Sequence, residues 1–402
     1  MYFGLSEDQI FFQQNVAKFL SDHASLDIIK KITDGHGDPF QQEVHRGLVN
    51  LGISSMLIPE EYNGLGLDLL FATAVSQSLG AGVAPVPFVG SYVMAPIAIT
   101  YGGDANQKIN YLKRMSENSI RLGVGFSEYI GARENASITI SNNVVNGRAL
   151  FVLDVAGSSH VMVSNKSGTI GIVDINEDGV EVIKLTTVDK TRNYSEIRFK
   201  DVEIDVLKNT IDSSDAIVKS VDAGRIILAA DSIGASQTLL NKAVEYSKER
   251  KQFGRVIGSF QAVKHMCAEM AAELEPCYSI TWHAAHAQKN IQDEARLYAC
   301  QASSHTSEVS KMIAKKATEV HGGMGFTDLI GIHYWFKRIG LNRQQMPPPD
   351  WRAAAAEEEE PSSTFPESHG VSVLWGLCRE EKSPEVRFFL QGMIVSFLGF
   401  CF

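Results

Sequence analysis

Cysteine and positive charge are both scarce in this chain of 402 residues, and each scarcity excludes a class of protein. The five cysteines form no CxxC pair, and none lies at metal-ligand spacing from a histidine, which predicts free thiols in a reducing compartment and no metal site. They are Cys267, Cys277, Cys300, Cys378 and Cys401. The formal net charge of -10 argues against a nucleic-acid surface, because phosphate binding requires concentrated positive charge.

Long apolar segments are missing as well. No run is long enough to span a bilayer, and the N-terminus is acidic at Glu7 and Asp8 and lacks the apolar core of a signal peptide. We therefore expect a cytoplasmic protein, with the mitochondrial matrix as an alternative. Hydrophobic residues make up 44% and charged residues 21%, as is typical of soluble globular proteins, and the length suggests two or three domains.

The chain changes texture twice, which predicts an α+β protein of three domains. Residues 1–118 have helical periodicity, 119–213 contain short β-branched runs separated by Asn and Gly turns, and 214–345 are helical again. We expect an N-terminal helical domain, a middle antiparallel β-barrel or sandwich and a C-terminal four-helix bundle. The predicted bundle helices after the first are 255–273, 277–289 and 293–320.

The segment 346–402 departs from this pattern. Three consecutive prolines and an alanine- and glutamate-rich stretch read as a linker or a disordered region, and an apolar run at 388–402 ends the chain. That run is short for a membrane helix, so it is interpreted as a docking helix or as a non-native, frame-shifted tail.

Two motifs carry the strongest functional signal. The segment 246–265, YSKERKQFGRVIGSFQAVKH, leaves a helix through Arg250 and turns at Gly254, and the segment 319–326 reads EVHGGMGF. Both motifs, together with PEEYNGLG at 59–66, resemble the acyl-CoA dehydrogenase family, in the same α–β–α order, over roughly residues 5–343. The resemblance implies an FAD enzyme that dehydrogenates an acyl-CoA thioester between its α and β carbons and passes electrons to electron-transfer flavoprotein.

The resemblance also implies which residues hold FAD, and that FAD extends between two subunits of a homo- or hetero-dimer or tetramer. The bundle motifs supply Arg250, Gln252, Phe253, Gln261, Glu319, Gly322 and Gly323. Glu319 stands where the family has glutamine, and a carboxylate cannot donate as an amide does. In the β region Phe126 and Ser127 match a family strand, and Phe151 falls where an aromatic covers the flavin, although core packing explains Phe151 equally well.

The catalytic base is the missing part. One family position for a glutamate corresponds to Gly224, and the other falls in the window 344–349, which has no acid before Asp350. Asp222, Asp231 and Asp350 are candidates. The base can instead come from a partner subunit, or the divergent tail has destroyed the site. Two other functions therefore stay open: a non-catalytic partner in a mixed oligomer, and a flavin-dependent monooxygenase-like relative.

Overall fold

Helices form the first part of the chain in the computed structural model, which describes residues 4–35, 38–130 and 137–347. They are α1 (Glu7–His23), α2 (Leu26–Thr33), α3 (Asp38–Asn50), α4 (Leu69–Ala81), α5 (Ala95–Gly102) and α6 (Ala105–Ser116). Ser6 caps the start of α1: the Ser6 hydroxyl accepts the Gln9 N–H at 3.3 Å, and the Gln9 side chain accepts the Ser6 N–H at 2.8 Å. This reciprocal cap satisfies two N–H groups that the helix itself cannot pair.

A π-helical segment, Phe88–Met94, leads directly into α5. The buried Asp154 carboxylate accepts the backbone N–H of Gly90 at 2.7 Å and of Ser91 at 3.1 Å. These bonds tie the segment to the sheet. Wide π turns are uncommon and often lie beside functional sites; here Met94 at the end of the segment reaches the cleft described below.

The middle region is an eight-stranded sheet. Its strands are β1 (Leu122–Gly125), β2 (Ser137–Ser141), β3 (Val144–Leu153), β4 (His160–Ser164), β5 (Ile170–Asp174), β6 (Val180–Leu185), β7 (Tyr194–Glu203) and β8 (Asp205–Val206), and a single helical turn, α7 (Ser127–Ile130), follows β1. The strands lie in the order β6-β7-β3-β1-β4-β5-β8, with β2 paired to β3. The sheet is mixed, because β1 and β4 run parallel while the other pairs are antiparallel. The chain between β1 and β4 contains β2 and β3, which makes the crossover that a parallel pair needs.

One turn signal was misread. Asn146 and Gly147 suggest a turn between strands, but β3 continues through both, and its register against β7 shifts between Val145 and Gly147. Gly147 has a φ of 113°, so the glycine forms a bulge within the strand. The other predicted turn, at Asn142 and Asn143, is confirmed: it joins β2 to β3, and both φ angles are positive.

The C-terminal bundle contains α8 (Asp215–Glu249), α9 (Gln261–Asn290), α10 (Ala295–His321) and α11 (His333–Gln345). The predicted break between 273 and 277 is wrong, because α9 passes through Pro276 without interruption. Its buried stripe continues on both sides of the proline, at Leu274 and Cys277, so packing along the whole helix outweighs one lost backbone hydrogen bond.

Small residues bring α8 against α4, as the sequence predicts. A Cβ at Gly234 would lie 1.8 Å from the carbonyl oxygen of Gln77, and one at Gly80 would lie 1.9 Å from that of Asp231. Both glycines are therefore required by the contact between the two backbones. This contact holds α8, the first helix of the bundle, against α4.

Several predictions fall on residues outside the described ranges. The linker, the apolar run and Asp350 all belong to residues from 348 onward. Among the helices of the described ranges, none is both long enough and apolar enough to cross a bilayer. The domain bounds 1–118, 119–213 and 214–345 stay a prediction.

Candidate active site

A cleft between the sheet and the bundle brings together three of the predicted residues. Phe126 and Ser127 follow β1, and Phe151 lies in β3; together they form what we call the strand wall. The end of α11 and the π-helical segment close the other side. The complete lining is Met94, Val124, Phe126, Ser127, Ile130, Leu150, Phe151, Leu153, Leu341, Gln345 and Met346. The cavity volume is about 30 Å³.

The strand wall is held by a bulge and one hydrogen bond. Between Ala149 and Val152 the register of β3 shifts against β7, and within this bulge Phe151 has a φ of 51°. A bulky residue is strained in this backbone region and stays there only where its surroundings hold it. The Ser127 hydroxyl accepts the N–H of Leu150 at 3.1 Å, which ties the two strand ends together.

Gly224, the first family position for a base, lies buried in α8 beside this cleft. A Cβ there would lie 2.7 Å from the Met346 Sδ and 2.9 Å from the Met94 Sδ. Both sulfur atoms are on flexible side chains. The two thioethers thus occupy the space into which a longer side chain at position 224 would point.

Asp222 pairs with a cation instead of lining the cleft. Its carboxylate is 2.7 Å from the Arg225 guanidinium, and both side chains are buried. Burial raises the pKa of Asp222, and Arg225 and Arg296 oppose that rise. Arg225 also donates to the carbonyl oxygens of Met346 and Pro347, so the pair fastens the end of α11 over Gly224.

Asp231 is the centre of a buried ionic network. Its carboxylate lies 2.8 Å from the guanidinium of Arg192 and 2.8 Å from that of Arg338. Asn342 donates to it as well, at 2.7 Å. Burial would raise the pKa of Asp231, but the two arginines outweigh it and the pKa is lowered. A carboxylate so firmly ionised and bonded is a weak proton acceptor, and its role as base stays a prediction that this geometry disfavours.

The remaining cofactor residues lie together at one end of the bundle. Tyr246, one turn before the end of α8, stacks on His321 at the end of α10, with ring centroids 4.6 Å apart. This contact brings the two sequence motifs side by side. The seven predicted residues at this bundle end are all exposed: Arg250, Gln252, Phe253, Gln261, Glu319, Gly322 and Gly323. His321 Nδ1 donates to the Ala317 carbonyl at 2.7 Å, the local bonding role expected of a histidine at this turn.

The bundle end has the features that a dinucleotide requires. Phe253 is 92% exposed with a φ of 53°, in the hairpin of β9 (Lys251–Gln252) and β10 (Arg255–Val256). A Cβ at Gly322 or Gly323 would meet no atom within 4 Å, so a ligand can approach their backbone closely. With an arginine able to pair with a diphosphate, and a strand wall of aromatic and hydroxyl groups, the residues fit FAD.

Sequence reasoning missed the opposite wall of the cleft. Met94, Leu341, Gln345 and Met346 line it. Gln345 lies in the window 344–349, where the family resemblance implies an acid and the sequence has amides instead. No pattern in the sequence indicates Met94 and Met346, because a single sequence does not show that the two side chains meet at Gly224.

Comparisons with known proteins agree with this architecture. The model of the acyl-CoA dehydrogenase N-terminal domain matches residues 6–119, and that of the C-terminal domain matches residues 214–343. The caffeyl-CoA reductase–Etf complex subunit CarC of Acetobacterium woodii is 27% identical over 79% of this chain and 90% of its own length. The probable acyl-CoA dehydrogenase YngJ of Bacillus subtilis is 26% identical, over 83% and 92%. The solved ChsE4–ChsE5 complex of Mycobacterium tuberculosis has the same fold, with a TM-score of 0.76, 21% identity and coverage of 90% and 100%.

The chain therefore belongs to the acyl-CoA dehydrogenase family. It is an oxidoreductase of acyl-CoA dehydrogenase type, and FAD is its cofactor. The predicted fold class is confirmed, apart from the parallel strand pair and the continuous α9.

Proposed function

We propose that this chain is the FAD-binding subunit of an acyl-CoA dehydrogenase that takes its thioester substrate in the cleft between the strand wall and Gly224. Bound FAD supplies the acceptor for the β-hydride. Phe126, Ser127 and Phe151 would hold the flavin ring, and the bundle end would bind the rest of the cofactor, shared with a second subunit. The proposal rests mainly on one observation: the strand wall, with its strained Phe151, faces a mainly apolar wall across the cleft.

The cleft's own residues would orient the substrate and exclude water. Leu150, Leu153 and Leu341 supply apolar surface for an acyl chain, and Ser127 keeps a hydroxyl proton to donate. Dry surroundings strengthen every hydrogen bond to the thioester carbonyl, and this lowers the pKa of the α-proton. The identity of the acyl group depends on the shape of this wall.

A second function is favoured by one observation: none of the described residues that line the cleft is an acid. Gly224 leaves the helix position without a side chain, and Asp222 and Asp231 are bound to arginines. The chain would then be a base-lacking partner that completes the cofactor site of another subunit. The ChsE4–ChsE5 complex is a solved assembly of two named components, which is the kind of assembly this function requires.

Electron-transfer flavoprotein is the proposed acceptor of the electrons. The CarC relative is named as a subunit of an Etf complex. A family oxidoreductase that reduces FAD with a thioester must pass two electrons on before the next turnover, so the proposed reaction requires an external electron acceptor of this kind.

Anaerobic mixing of the purified, FAD-loaded chain with a panel of CoA thioesters tests these functions. Loss of the flavin absorbance band with one thioester supports dehydrogenation by the chain alone. Loss that requires a second subunit supports the base-lacking partner. Reduction by a flavin reductase alone, with no response to any thioester, would favour the monooxygenase-like function, and a protein that takes up no FAD would reject the proposal.

A further inference from the structure

Gln345, the last residue of α11, carries a side-chain amide with no hydrogen-bond partner. Its Nε2 and Oε1 are both buried, and neither has a partner within the described part of the chain. Gln345 also lines the cleft. A buried amide that bonds to nothing costs free energy, so this amide needs a partner that the described residues do not supply, and a molecule bound in the cleft can supply it.

The surroundings of this amide argue for a ligand and against a structural water. Its neighbours in the lining are mainly apolar, among them Met94, Leu341 and Met346. A buried water needs two to four polar partners, and besides Gln345 the described lining offers a single polar side chain, Ser127, whose oxygen already accepts from Leu150. In the described lining, Gln345 is the one amide side chain that can both donate and accept.

The position of Gln345 assigns it to the substrate side of the cleft. It is adjacent in sequence to Met346, whose sulfur lies beside the missing side chain of Gly224. Phe126, Ser127 and Phe151, the residues proposed for the flavin ring, form the strand wall instead. The amide therefore belongs to the wall that the proposed function gives to the thioester.

We propose that Gln345 Nε2 donates a hydrogen bond to the carbonyl oxygen of the bound acyl-CoA thioester. The proposal rests on the proposed function. A primary amide is neutral over the physiological pH range and cannot take up the α-proton, so Gln345 holds and polarises the carbonyl without being the base. The bond stabilises negative charge as it develops on that oxygen.

Two ligands that differ in this carbonyl test the assignment. Acetyl-CoA has the carbonyl but no β-carbon, so it cannot be dehydrogenated, and S-ethyl-CoA is the matching thioether without the carbonyl. Their Kd values are measured by calorimetry on the FAD-loaded full chain and on Gln345→Leu. We expect the wild type to prefer acetyl-CoA by about three- to tenfold, the worth of one neutral hydrogen bond, and the variant to bind both ligands alike.

The ratio of the two Kd values separates the hydrogen bond from general packing, because a distorted cleft weakens both ligands together. The exposed neighbour Gln344 gives the matched control, Gln344→Leu, which should keep the wild-type ratio. Gln345→Met, flexible and also without a donor, replaces the leucine variant if that variant does not fold.

Three results would overturn the assignment. An unchanged ratio in the donor-less variant would mean that the amide does not contact the thioester. Loss of FAD from Gln345→Leu with an unchanged ratio would assign the amide to the flavin. If the FAD-loaded wild type bound neither ligand, the proposed function itself would fail, a result that is distinct from the other two.

Discussion

Phe151 and Phe253 have nearly the same positive φ angle in opposite surroundings. Their φ values are 51° and 53°, in a region that bulky residues rarely adopt. Phe151 is half-buried in a sheet bulge and lines the cleft, whereas Phe253 is 92% exposed, with Phe260 as an edge-on ring neighbour at 6.2 Å. The strain at Phe151 is held by the chain's own packing, but nothing comparable covers Phe253.

The same contrast in exposure distinguishes the residues that line the cleft from the residues of the bundle end. The cleft is enclosed by one chain and lacks an acid among its described lining residues, while the bundle end displays its groups to solvent. An exposed strained aromatic at a functional site indicates a surface that is completed by another molecule. We infer that the cleft lacks a general base and that the bundle end is completed by a partner subunit.

Adding a carboxylate to the cleft at position 224 should give the largest effect. In Gly224→Glu the new side chain meets the flexible ends of Met94 and Met346, which can move aside. A positioned general base contributes about 10²–10⁴-fold, so anaerobic flavin reduction by a thioester should accelerate by at least about 100-fold. Stopped-flow absorbance measures the rate, and Gly224→Gln, of equal size but without a base, is the control. Equal rates for the two variants would show that the cleft does not lack a base.

Removal of the buried charge at Asp231 should have the next largest effect. Asp231→Asn leaves Arg192 and Arg338 without their anion, and breaking a buried ion pair costs about 3–5 kcal/mol. Urea unfolding should show this loss at neutral pH. Glu245→Gln, which removes an exposed pair with Lys248, is the control and should change stability by less than about 1 kcal/mol.

The same network gives a pH dependence with a definite sign. The pKa of Asp231 is lowered from 3.8, so its contribution is fully present above that value and is lost as the pH falls through the lower folded-state pKa. Wild-type stability should therefore fall more steeply than that of Asp231→Asn below about pH 4. Parallel acid-unfolding curves would contradict the assignment of this charge.

The sequence allowed most of the architecture to be predicted, because periodicity and motif spacing are local properties. The errors came where long-range packing overrides a local signal, at Pro276 within α9 and at Gly147 within β3. Asp231 looked like a possible base because its partner Arg338 lies 107 residues away, and the free amide of Gln345 depends on which side chains surround it. One sequence does not contain that information.

Removal of the exposed aromatic should weaken cofactor binding without affecting the fold. Phe253→Ala deletes a ring that the chain itself barely packs, so Tm without FAD should stay within about 2 °C, since exposed positions change stability little. An aromatic contact of this kind is worth about 1 kcal/mol, which predicts an FAD affinity several-fold lower by fluorescence titration. Phe11→Ala, another exposed phenylalanine, is the control. Equal FAD affinity in both variants would remove Phe253 from the cofactor site.

Alanine substitutions at two adjacent glycines of the bundle end should differ in their effect on stability, and the change at Gly323 should be the smallest of all. Gly322 has φ 59° and ψ -142°, a conformation that alanine adopts poorly, whereas Gly323 has no positive φ, and neither position has an atom within 4 Å of an added Cβ. Gly322→Ala should therefore lose about 1–2 kcal/mol of stability through backbone strain, and Gly323→Ala should lose almost none. If FAD lies against this backbone, both methyl groups should lower its affinity, including in the variant that keeps full stability. If Gly323→Ala binds FAD as the wild type does, the two glycines serve only to terminate α10. FAD binding at the bundle end would then depend on Arg250 and Phe253.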